Sequence, residues 1–313
     1  MNEPDLGHLQ PEFRAAASLP DAERVIRVRS ERWIDHPQAR AVLNELQEIV
    51  DQPPRGRMLN ALLTAEPGMG KTMTLKKLVR ENVNEPGRKA GGEPQPVLYV
   101  LMPELPTEDA FFSQVFTGLG IPPIYHSATM RRRDATFRLL REAGTRALVI
   151  DEINSLLAGT PRQQRILLQL LRFLSNELGI ALICAGAPEA RQAMLTDPQL
   201  RSRFLDLELP PWRDDGDLRV FLARLVQSLP LRRPSPVDSP GLRRLVARRS
   251  SGLTLTICKA FERAAVAAIA SGEERLDRSK LESQAVWRGL APGMAASVSL
   301  RRGLARQTIE ALS

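Results

Sequence analysis

The sequence predicts an α/β domain with a parallel β-sheet covered by helices, followed by a smaller α-helical domain. Short apolar runs of strand length alternate with helical patterns through the first 210 residues, and this alternation is typical of crossover connections in a parallel sheet. After Pro210 and Pro211 the strand patterns stop and only helical periodicity follows. A hydrophobic content of 43% in 313 residues is sufficient for two cores.

Residues 1–57 are predicted to form an N-terminal arm and a helical preface. Residues 1–20 have no clear period and contain three prolines, so we expect a loose arm. Residues 21–51 place apolar side chains at helical spacing, with an interruption at Pro37. A cluster of proline and glycine then ends the preface.

The α/β domain is predicted to span residues 58–210. Five apolar runs read as strands, at residues 59–64, 97–101, 147–150, 180–184 and 204–209. Helical patterns cover residues 72–82 and 163–178, and residues 87–96 are rich in Gly and Pro and are predicted to be a loop. The carboxyl ends of parallel strands share one edge of the sheet, where ligands bind.

The helical domain is predicted to span residues 211–290 and to be followed by a basic tail, residues 291–313. Its helical patterns cover residues 218–229, 240–249 and 255–270, with a weaker fourth pattern over 280–290. The tail pattern predicts a helix from about Val298.

Cysteine and histidine usage excludes some classes of protein. Cys184 and Cys258 both lie in apolar surroundings and the three histidines are scattered, which argues against a disulfide framework or a zinc site and favours a reducing cytosol. The most apolar stretches are too short to cross a bilayer, and the first residues are acidic and polar. We therefore expect neither an export signal nor a membrane partner.

An octapeptide between the first predicted strand and the next helix has the spacing of a phosphate-binding loop. Small residues let backbone N–H groups converge on phosphate oxygens, the helix N-terminus adds a favourable dipole, a lysine reaches the β- and γ-phosphates, and a threonine hydroxyl binds Mg²⁺. The residues predicted to bind ATP here are Ala65, Glu66, Pro67, Gly68, Met69, Gly70, Lys71, Thr72 and Met73. Ala65 stands where the G-x-x-x-x-G-K-[ST] pattern begins with glycine.

Two carboxylates follow the apolar run at residues 147–150, and this second pattern argues against a chance Gly-Lys-Thr. Asp151 is predicted to hold Mg²⁺ through a water, and Glu152 to orient and deprotonate the water that attacks the γ-phosphate. With Lys71 and Thr72, these residues predict an ATPase site. A small-molecule kinase is disfavoured, because Glu152 suits the activation of water better than phosphoryl transfer to a small acceptor.

An arginine precedes the last predicted strand. An arginine supplied to a neighbouring subunit's γ-phosphate stabilises charge in the transition state and makes hydrolysis depend on assembly. Arg203 is the first candidate for such a catalytic finger and Arg201 the second. The alternative is a solvated arginine on a surface helix.

The order of phosphate loop, Asp-Glu strand, Ser-Arg-Phe and helical lid resembles the AAA+ ATPases. Within them, the chain resembles the TniB family of transposition ATPases, relatives of TnsC, from about residue 21 to 270. The stretches that carry this resemblance are residues 23–26, 32–34, 151–159, 174–178, 185–190, 203–204 and 209–212.

The resemblance implies a protein that binds ATP and Mg²⁺ between neighbouring subunits and assembles as a ring or filament, a homo-oligomer, around duplex DNA. It also implies that the protein connects a DDE transposase to a TniQ-like target-selection protein. We would then expect it in the bacterial cytoplasm, associated with the nucleoid through DNA.

Two departures from the family pattern leave alternatives open. Ala187 stands where the family commonly has a polar first sensor, and Leu255 where many AAA+ proteins place a second-sensor arginine. Both affect hydrolysis more than binding, so a nucleotide-gated scaffold with little turnover is one alternative. An ATPase that resembles a helicase loader is another.

Candidates for contacts with DNA phosphates are Arg131, Arg132, Arg133, Arg162 and Arg165, each of which is otherwise a solvated surface charge. The formal charge of +8 belongs to residues 211–313, which hold 18 basic and 10 acidic side chains. We expect Arg243, Arg244, Arg248, Arg249 and the tail arginines Arg301, Arg302 and Arg306 to serve subunit or partner contacts and steering toward DNA. Arginine far outnumbers lysine, either for phosphate and carboxylate recognition or through codon bias.

Overall fold

The computed structural model describes residues 5–53, 55–83, 95–122, 129–195 and 202–290, which we call the described residues. Their contacts form two compact units. Unit 1 contains the described residues up to Gln38, those of Pro67–Met69 and those from Pro210 onward. Unit 2 contains the described residues of Ala39–Glu66 and Gly70–Leu209.

The secondary structure alternates between strands and helices in unit 2 and is helical in unit 1. The strands are β1 (Asn60–Thr64), β2 (Val97–Leu101), β3 (Ala147–Asp151), β4 (Ala181–Gly186) and β5 (Phe204–Glu208). The helices are α1 (Pro11–Ala17), α2 (Asp21–Arg29), α3 (Pro37–Asp51), α4 (Lys71–Asn82), α5 (Glu108–Gly118), α6 (Thr129–Glu142), α7 (Pro161–Glu177), α8 (Ala190–Leu195), α9 (Gly216–Gln227), α10 (Pro240–Ser250), α11 (Thr254–Ala270), α12 (Arg278–Glu282) and α13 (Gln284–Trp287). A 3₁₀ turn covers Ile153–Ala158.

Unit 2 is built on a five-stranded parallel sheet with the order β2-β3-β4-β1-β5. Every residue of β1, β3 and β4 is buried, as expected for central strands covered on both faces. The register pairs Thr64 with Gly186 and Leu101 with Asp151, so these strands end at one edge of the sheet. The predicted parallel sheet with helices is confirmed.

The main core of unit 2 lies between the sheet and the helices α5, α6 and α7. Phe111, Phe112 and Phe116 of α5 are completely buried there beside Leu148 of β3 and Leu171 of α7. α7 begins with a capping box in which Thr160 and Gln163 satisfy each other's backbone N–H groups. These helices pack against the sheet and so help to fix the ends of the strands, where the candidate site described below begins.

Unit 1 joins the N-terminal helices to the C-terminal ones, with α2 packed against α11. The prediction of a loose arm for residues 1–20 was wrong for Pro11–Ala17, which form α1. A helix of seven residues is too short to show a clear period in the sequence. Ala17 and the preceding Leu9 are buried, and Gln10 N–H donates to the Gln227 carbonyl over 3.0 Å.

The weaker helix predicted over residues 280–290 was also wrong in its extent. The chain forms α12 and α13, which are separated at Ser283, where ψ is 130°. This break lets the Trp287 indole N–H donate to the Leu281 carbonyl over 2.7 Å. The predicted tail helix from Val298 lies outside the described residues.

Within the described ranges, no helix is long and apolar enough to cross a membrane.

Candidate functional site

The phosphate-loop sequence connects β1 to the N-terminus of α4. Gly68 and Gly70 have φ values of +85° and +96°, a left-handed conformation that side chains disfavour. A Cβ added at Gly70 would meet no atom of the described residues within 4 Å, so they leave open space beside this turn. Gly70 is the N-cap of α4, and among the residues that the structure describes no side chain caps this helix. The first N–H groups of α4 therefore suit an external acceptor.

Thr72 and Asp151 bring the phosphate loop and β3 together. The Thr72 hydroxyl donates to Asp151 Oδ2 over 2.7 Å, and the Tyr99 hydroxyl of β2 donates to the same oxygen over 2.8 Å. The other oxygen, Oδ1, accepts the N–H of Glu152 over 2.9 Å. Burial and the negative charge of Asp151 raise the pKa of Tyr99, so the phenol stays a donor. A hydroxyl beside a fixed carboxylate is a donor set that suits Mg²⁺.

Lys71 is buried at the first position of α4. Its Nζ donates to the Ala65 carbonyl over 2.7 Å and lies 3.4 Å from the Glu66 carbonyl oxygen. Burial lowers the pKa of Lys71, while the carboxylates of Glu152 and Asp151 oppose this shift. The positive charge is thus held within the loop that it is predicted to serve.

Glu152 is exposed and has a strained backbone. Its φ of 56° and ψ of 39° lie in the left-handed region, which is unusual for a residue with a side chain and recurs at functional sites. Its carboxylate accepts a hydrogen bond from Asn154 Nδ2 over 3.3 Å. The Asn154 carbonyl oxygen in turn accepts the N–H of Ala187, at the end of β4, over 3.1 Å.

The remaining predicted nucleotide ligands line the same loop. Ala65 and Met69 are buried, Glu66 and Pro67 are exposed, and Met73 is partly buried in α4. The Ala65 N–H donates to the Gly186 carbonyl over 3.3 Å and so ties the loop to the end of β4.

Arg203 lies just before β5 and is partly buried. Its guanidinium donates to the side-chain carbonyl of Asn176, near the end of α7. Its own carbonyl accepts the N–H of Asn60 over 2.8 Å, so the backbone at this position is hydrogen-bonded to the first residue of β1. The second candidate, Arg201, lies outside the described residues.

Leu255 takes part in a contact within unit 1 that the sequence pattern does not predict. Its N–H donates to the Gly68 carbonyl over 2.8 Å, and its Cβ would lie 3.1 Å from a Cβ added at Gly68. The neighbouring Thr254 hydroxyl lies 3.4 Å from the Met69 carbonyl oxygen and accepts the Trp212 indole N–H over 2.9 Å. The first turn of α11 thus contacts Gly68 and Met69 through the Leu255 N–H and the Thr254 hydroxyl.

The candidate DNA contacts fall into two groups. Arg131, Arg162 and Arg165 are exposed. Arg132 lies 3.5 Å from the Asp109 carboxylate, and Arg133 stacks over the Phe173 ring at 4.7 Å. The exposed group therefore suits phosphate contacts better.

The four arginines of α10 also differ in their surroundings. Arg243 pairs with Asp214 over 3.1 Å, and Arg249 lies 6.0 Å above the Trp287 ring. Arg244 and Arg248 are exposed. Arg244 also lies 3.8 Å from the Asp214 carboxylate, so three of these four positive charges have a contact within unit 1. The tail arginines lie outside the described residues.

The sequence motifs did not predict that Tyr99 and Asn154 contact the two carboxylates Asp151 and Glu152. Tyr99 could have been found from the sequence, since it is the one residue with a hydroxyl group in the apolar run at residues 97–101. Asn154 lies in the family-like stretch that follows Asp151, but nothing local to the sequence connects it to Ala187, the residue after β4.

Comparison with solved structures identifies the fold. The chain is similar to Aeropyrum pernix ORC1 in complex with DNA, with a TM-score of 0.59, 20% identity and coverage of 82% of this chain and 67% of that chain. It is also similar to Drosophila ORC bound to DNA, with a TM-score of 0.58, 14% identity and coverage of 90% and 69%. The third neighbour is Cdc6p from Pyrobaculum aerophilum, with a TM-score of 0.57, 19% identity and coverage of 82% and 68%. These similarities confirm the predicted AAA+ P-loop ATPase fold.

The family follows from a different comparison. A search of curated proteins gave no match. The family model described as bacterial TniB protein matches residues 24–214, which is more than half of the chain. This match includes the phosphate loop, the Asp151-Glu152 pair and Arg203. The chain therefore belongs to the TniB family, as its motifs predicted.

Proposed function

We propose that this protein is an ATP-dependent, DNA-binding AAA+ regulator of transposition. In this proposal it oligomerises on duplex DNA as a ring or filament and links a TniQ-like target-selection protein to a DDE transposase. Membership of the TniB family supports the biological role. The observation that carries the biochemical part is the 2.7 Å hydrogen bond between Thr72 and Asp151 beside the glycine turn.

The residues around this bond fit a magnesium nucleotide. The open side of Gly70 and the uncapped start of α4 supply space and N–H donors for phosphate oxygens. Lys71 supplies a positive charge, and Thr72 with Asp151 supplies oxygen ligands of the type that Mg²⁺ prefers. When bound, Mg²⁺ would neutralise charge that develops on the phosphates.

We infer that Glu152 acts on the attacking water during hydrolysis. Its exposed carboxylate follows Asp151 at the edge of the sheet where ligands of parallel sheets bind. The left-handed backbone at Glu152 turns the chain directly after the strand. We assign to Glu152 the task of orienting the water and accepting its proton.

Arg203 is our candidate for the group that acts on a neighbouring subunit. Its guanidinium is held by Asn176 at the surface of unit 2. An arginine delivered in trans stabilises the transition state and couples hydrolysis to assembly. In this proposal the homo-oligomer is therefore needed for ATP hydrolysis as well as for assembly on DNA.

Several observations support DNA as a partner. Exposed arginines on α6 and α7 suit contacts with backbone phosphates. Two solved structures of similar fold are described as a complex with DNA and as bound to DNA. The low aromatic content of 4% disfavours base stacking on a single strand.

Binding of a labelled duplex by the purified full chain tests the proposal. We expect the affinity to rise about tenfold or more with an ATP analogue and to fall steeply with salt. Equal binding with and without nucleotide would overturn the proposal. Recovery of a replicative helicase in place of a transposase in a pull-down would favour a helicase-loading role instead.

A nucleotide-gated scaffold with little turnover is the second candidate. Two observations favour it, since neither Ala187 nor Leu255 carries a polar side chain. Measured hydrolysis that requires Glu152, with nucleotide binding retained in the Glu152→Gln variant, would exclude this candidate.

A further inference from the structure

Asn154 is the polar side chain that joins the end of β4 to Glu152. Its carbonyl oxygen accepts the N–H of Ala187 over 3.1 Å, and its amide nitrogen donates to Glu152 Oε2 over 3.3 Å. The oxygen of one amide thus contacts the end of β4, and its nitrogen contacts the Glu152 carboxylate. To this carboxylate we assign the task of orienting the attacking water. We propose that Asn154 is a positioning residue that holds the Glu152 carboxylate for hydrolysis, an inference that rests on the proposed ATPase function.

The end of β4 lies close to the Asn154 side chain. A Cβ added at Gly186 would lie 2.7 Å from the Asn154 oxygen and 3.0 Å from Ile153 Cγ2. The glycine therefore makes room for the amide, and Ala187 presents only a methyl group beside it. The polar group at the end of β4 comes from the turn that follows β3.

Glu152 has few other restraints on its side chain. It is exposed, and its N–H bond to Asp151 fixes the backbone but not the carboxylate. An exposed glutamate samples several rotamers. A donor fixed to the sheet by the Ala187 N–H selects the rotamers in which Oε2 faces Asn154, and so reduces this freedom.

Two substitutions separate the roles of the amide. Asn154→Asp keeps an oxygen that accepts from Ala187 but replaces the donor with a second carboxylate next to Glu152. Asn154→Ala removes both hydrogen bonds. Ser155→Ala is the matched control, since Ser155 lies in the same turn and contacts Glu152 through its backbone N–H over 2.9 Å.

The experiment measures steady-state ATP hydrolysis and nucleotide affinity of the full chain with duplex DNA. For Asn154→Asp we expect kcat to fall about tenfold or more, in the range of lost general-base positioning, with KM, affinity for labelled ADP and Tm near wild type. Asn154→Ala should lose kcat to a similar extent. Ser155→Ala should match wild type.

The outcomes distinguish the inference from the function on which it rests. If wild type hydrolyses ATP through Glu152 but Asn154→Asp keeps its kcat, the positioning role is overturned and the amide only braces β4. A fall in Tm or nucleotide affinity that accounts for the whole loss of activity would also overturn it. If wild type shows no hydrolysis that depends on Glu152, the proposed ATPase itself fails.

Discussion

Arg24 and Glu274 form a bidentate ion pair although 250 residues separate them in the sequence. The two guanidinium nitrogens of Arg24 lie 2.7 and 2.5 Å from the carboxylate oxygens of Glu274, and the arginine is completely buried. The bond to Glu274 raises the pKa of Arg24 against the effect of burial. Burial would raise the pKa of Glu274, but the bond to Arg24 lowers it overall. The pair ties α2 to the turn after α11.

Replacing Arg24 with Met should therefore destabilise unit 1. The apolar stem is kept, but the buried Glu274 carboxylate loses its bidentate partner and keeps only Arg232, whose N–H and guanidinium lie 3.2 and 3.8 Å away. Breaking a buried pair in this way costs up to about 3–5 kcal/mol. The exposed Arg27 of the same helix provides the matched control, and Arg27→Met should change stability by less than about 0.5 kcal/mol. Denaturant unfolding measures both changes. Similar losses in the two variants would contradict the role given to the pair.

His36 should make the protein less stable in mild acid. Burial lowers its pKa from 6.5 to about 4, with the charge of Asp35 acting the other way. The unfolded chain takes up the proton near pH 6.5 and the folded chain only near pH 4, so stability falls as the pH decreases through this window. The full effect is at most about 3 kcal/mol.

Unfolding free energies between pH 7 and pH 5 measure this effect. His36→Phe keeps a ring beside Trp212 and Phe221, which lie 4.9 and 5.3 Å from the His36 centroid, but cannot titrate. We expect the variant to lose most of the slope of stability against pH. An unchanged slope would show that groups other than His36 cause the pH dependence of stability.

Glu152→Gln should abolish ATP hydrolysis while leaving nucleotide binding intact. The amide keeps the size of the side chain but cannot accept a proton, so we expect kcat to fall by about 100-fold or more. Glu189→Gln is the control, because the exposed Glu189 also acts on Lys71 by its charge. Both variants are assayed for phosphate release and for binding of labelled ATP. A large loss in both variants would point to charge near Lys71 and not to proton transfer.

Arg203→Ala should be complemented by Glu152→Gln if the arginine acts on a neighbouring subunit. A mixed oligomer contains interfaces that combine an intact Glu152 from one subunit with an intact Arg203 from the next. We expect the mixture to hydrolyse ATP faster than either variant alone. An activity equal to the average of the two preparations at every mixing ratio would argue for action within one subunit.

The double variant Arg162→Ala and Arg165→Ala should bind duplex DNA more weakly at every sequence tested. Both side chains are exposed on α7. If each contacts one phosphate, the slope of log affinity against log salt becomes less steep by about 2. Arg138→Ala removes an exposed charge from α6 and serves as control. An unchanged slope in the double variant would show that Arg162 and Arg165 of α7 do not contact DNA phosphates.

The strands and the phosphate loop are predictable because their signals are local. A buried strand in a parallel sheet is a short apolar run, and a phosphate loop needs glycine and lysine at fixed spacing. The observed β1, β2 and β3 accordingly agree with the predicted runs to within about one residue. The Asp-Glu pair is recognisable for the same reason, since it follows its strand directly.

The pairings between distant residues have no such signal. Periodicity records whether a side chain is buried, but not which side chain it meets. Asn154 contacts Ala187 because the sheet places β3 next to β4, and Tyr99 contacts Asp151 because β2 is the other neighbour of β3. Arg24 meets Glu274 only when α2 packs on α11. The motifs and the fold class therefore follow from local chemistry. The partners of Asp151, Glu152 and the N-terminal helices follow from strand order and helix packing.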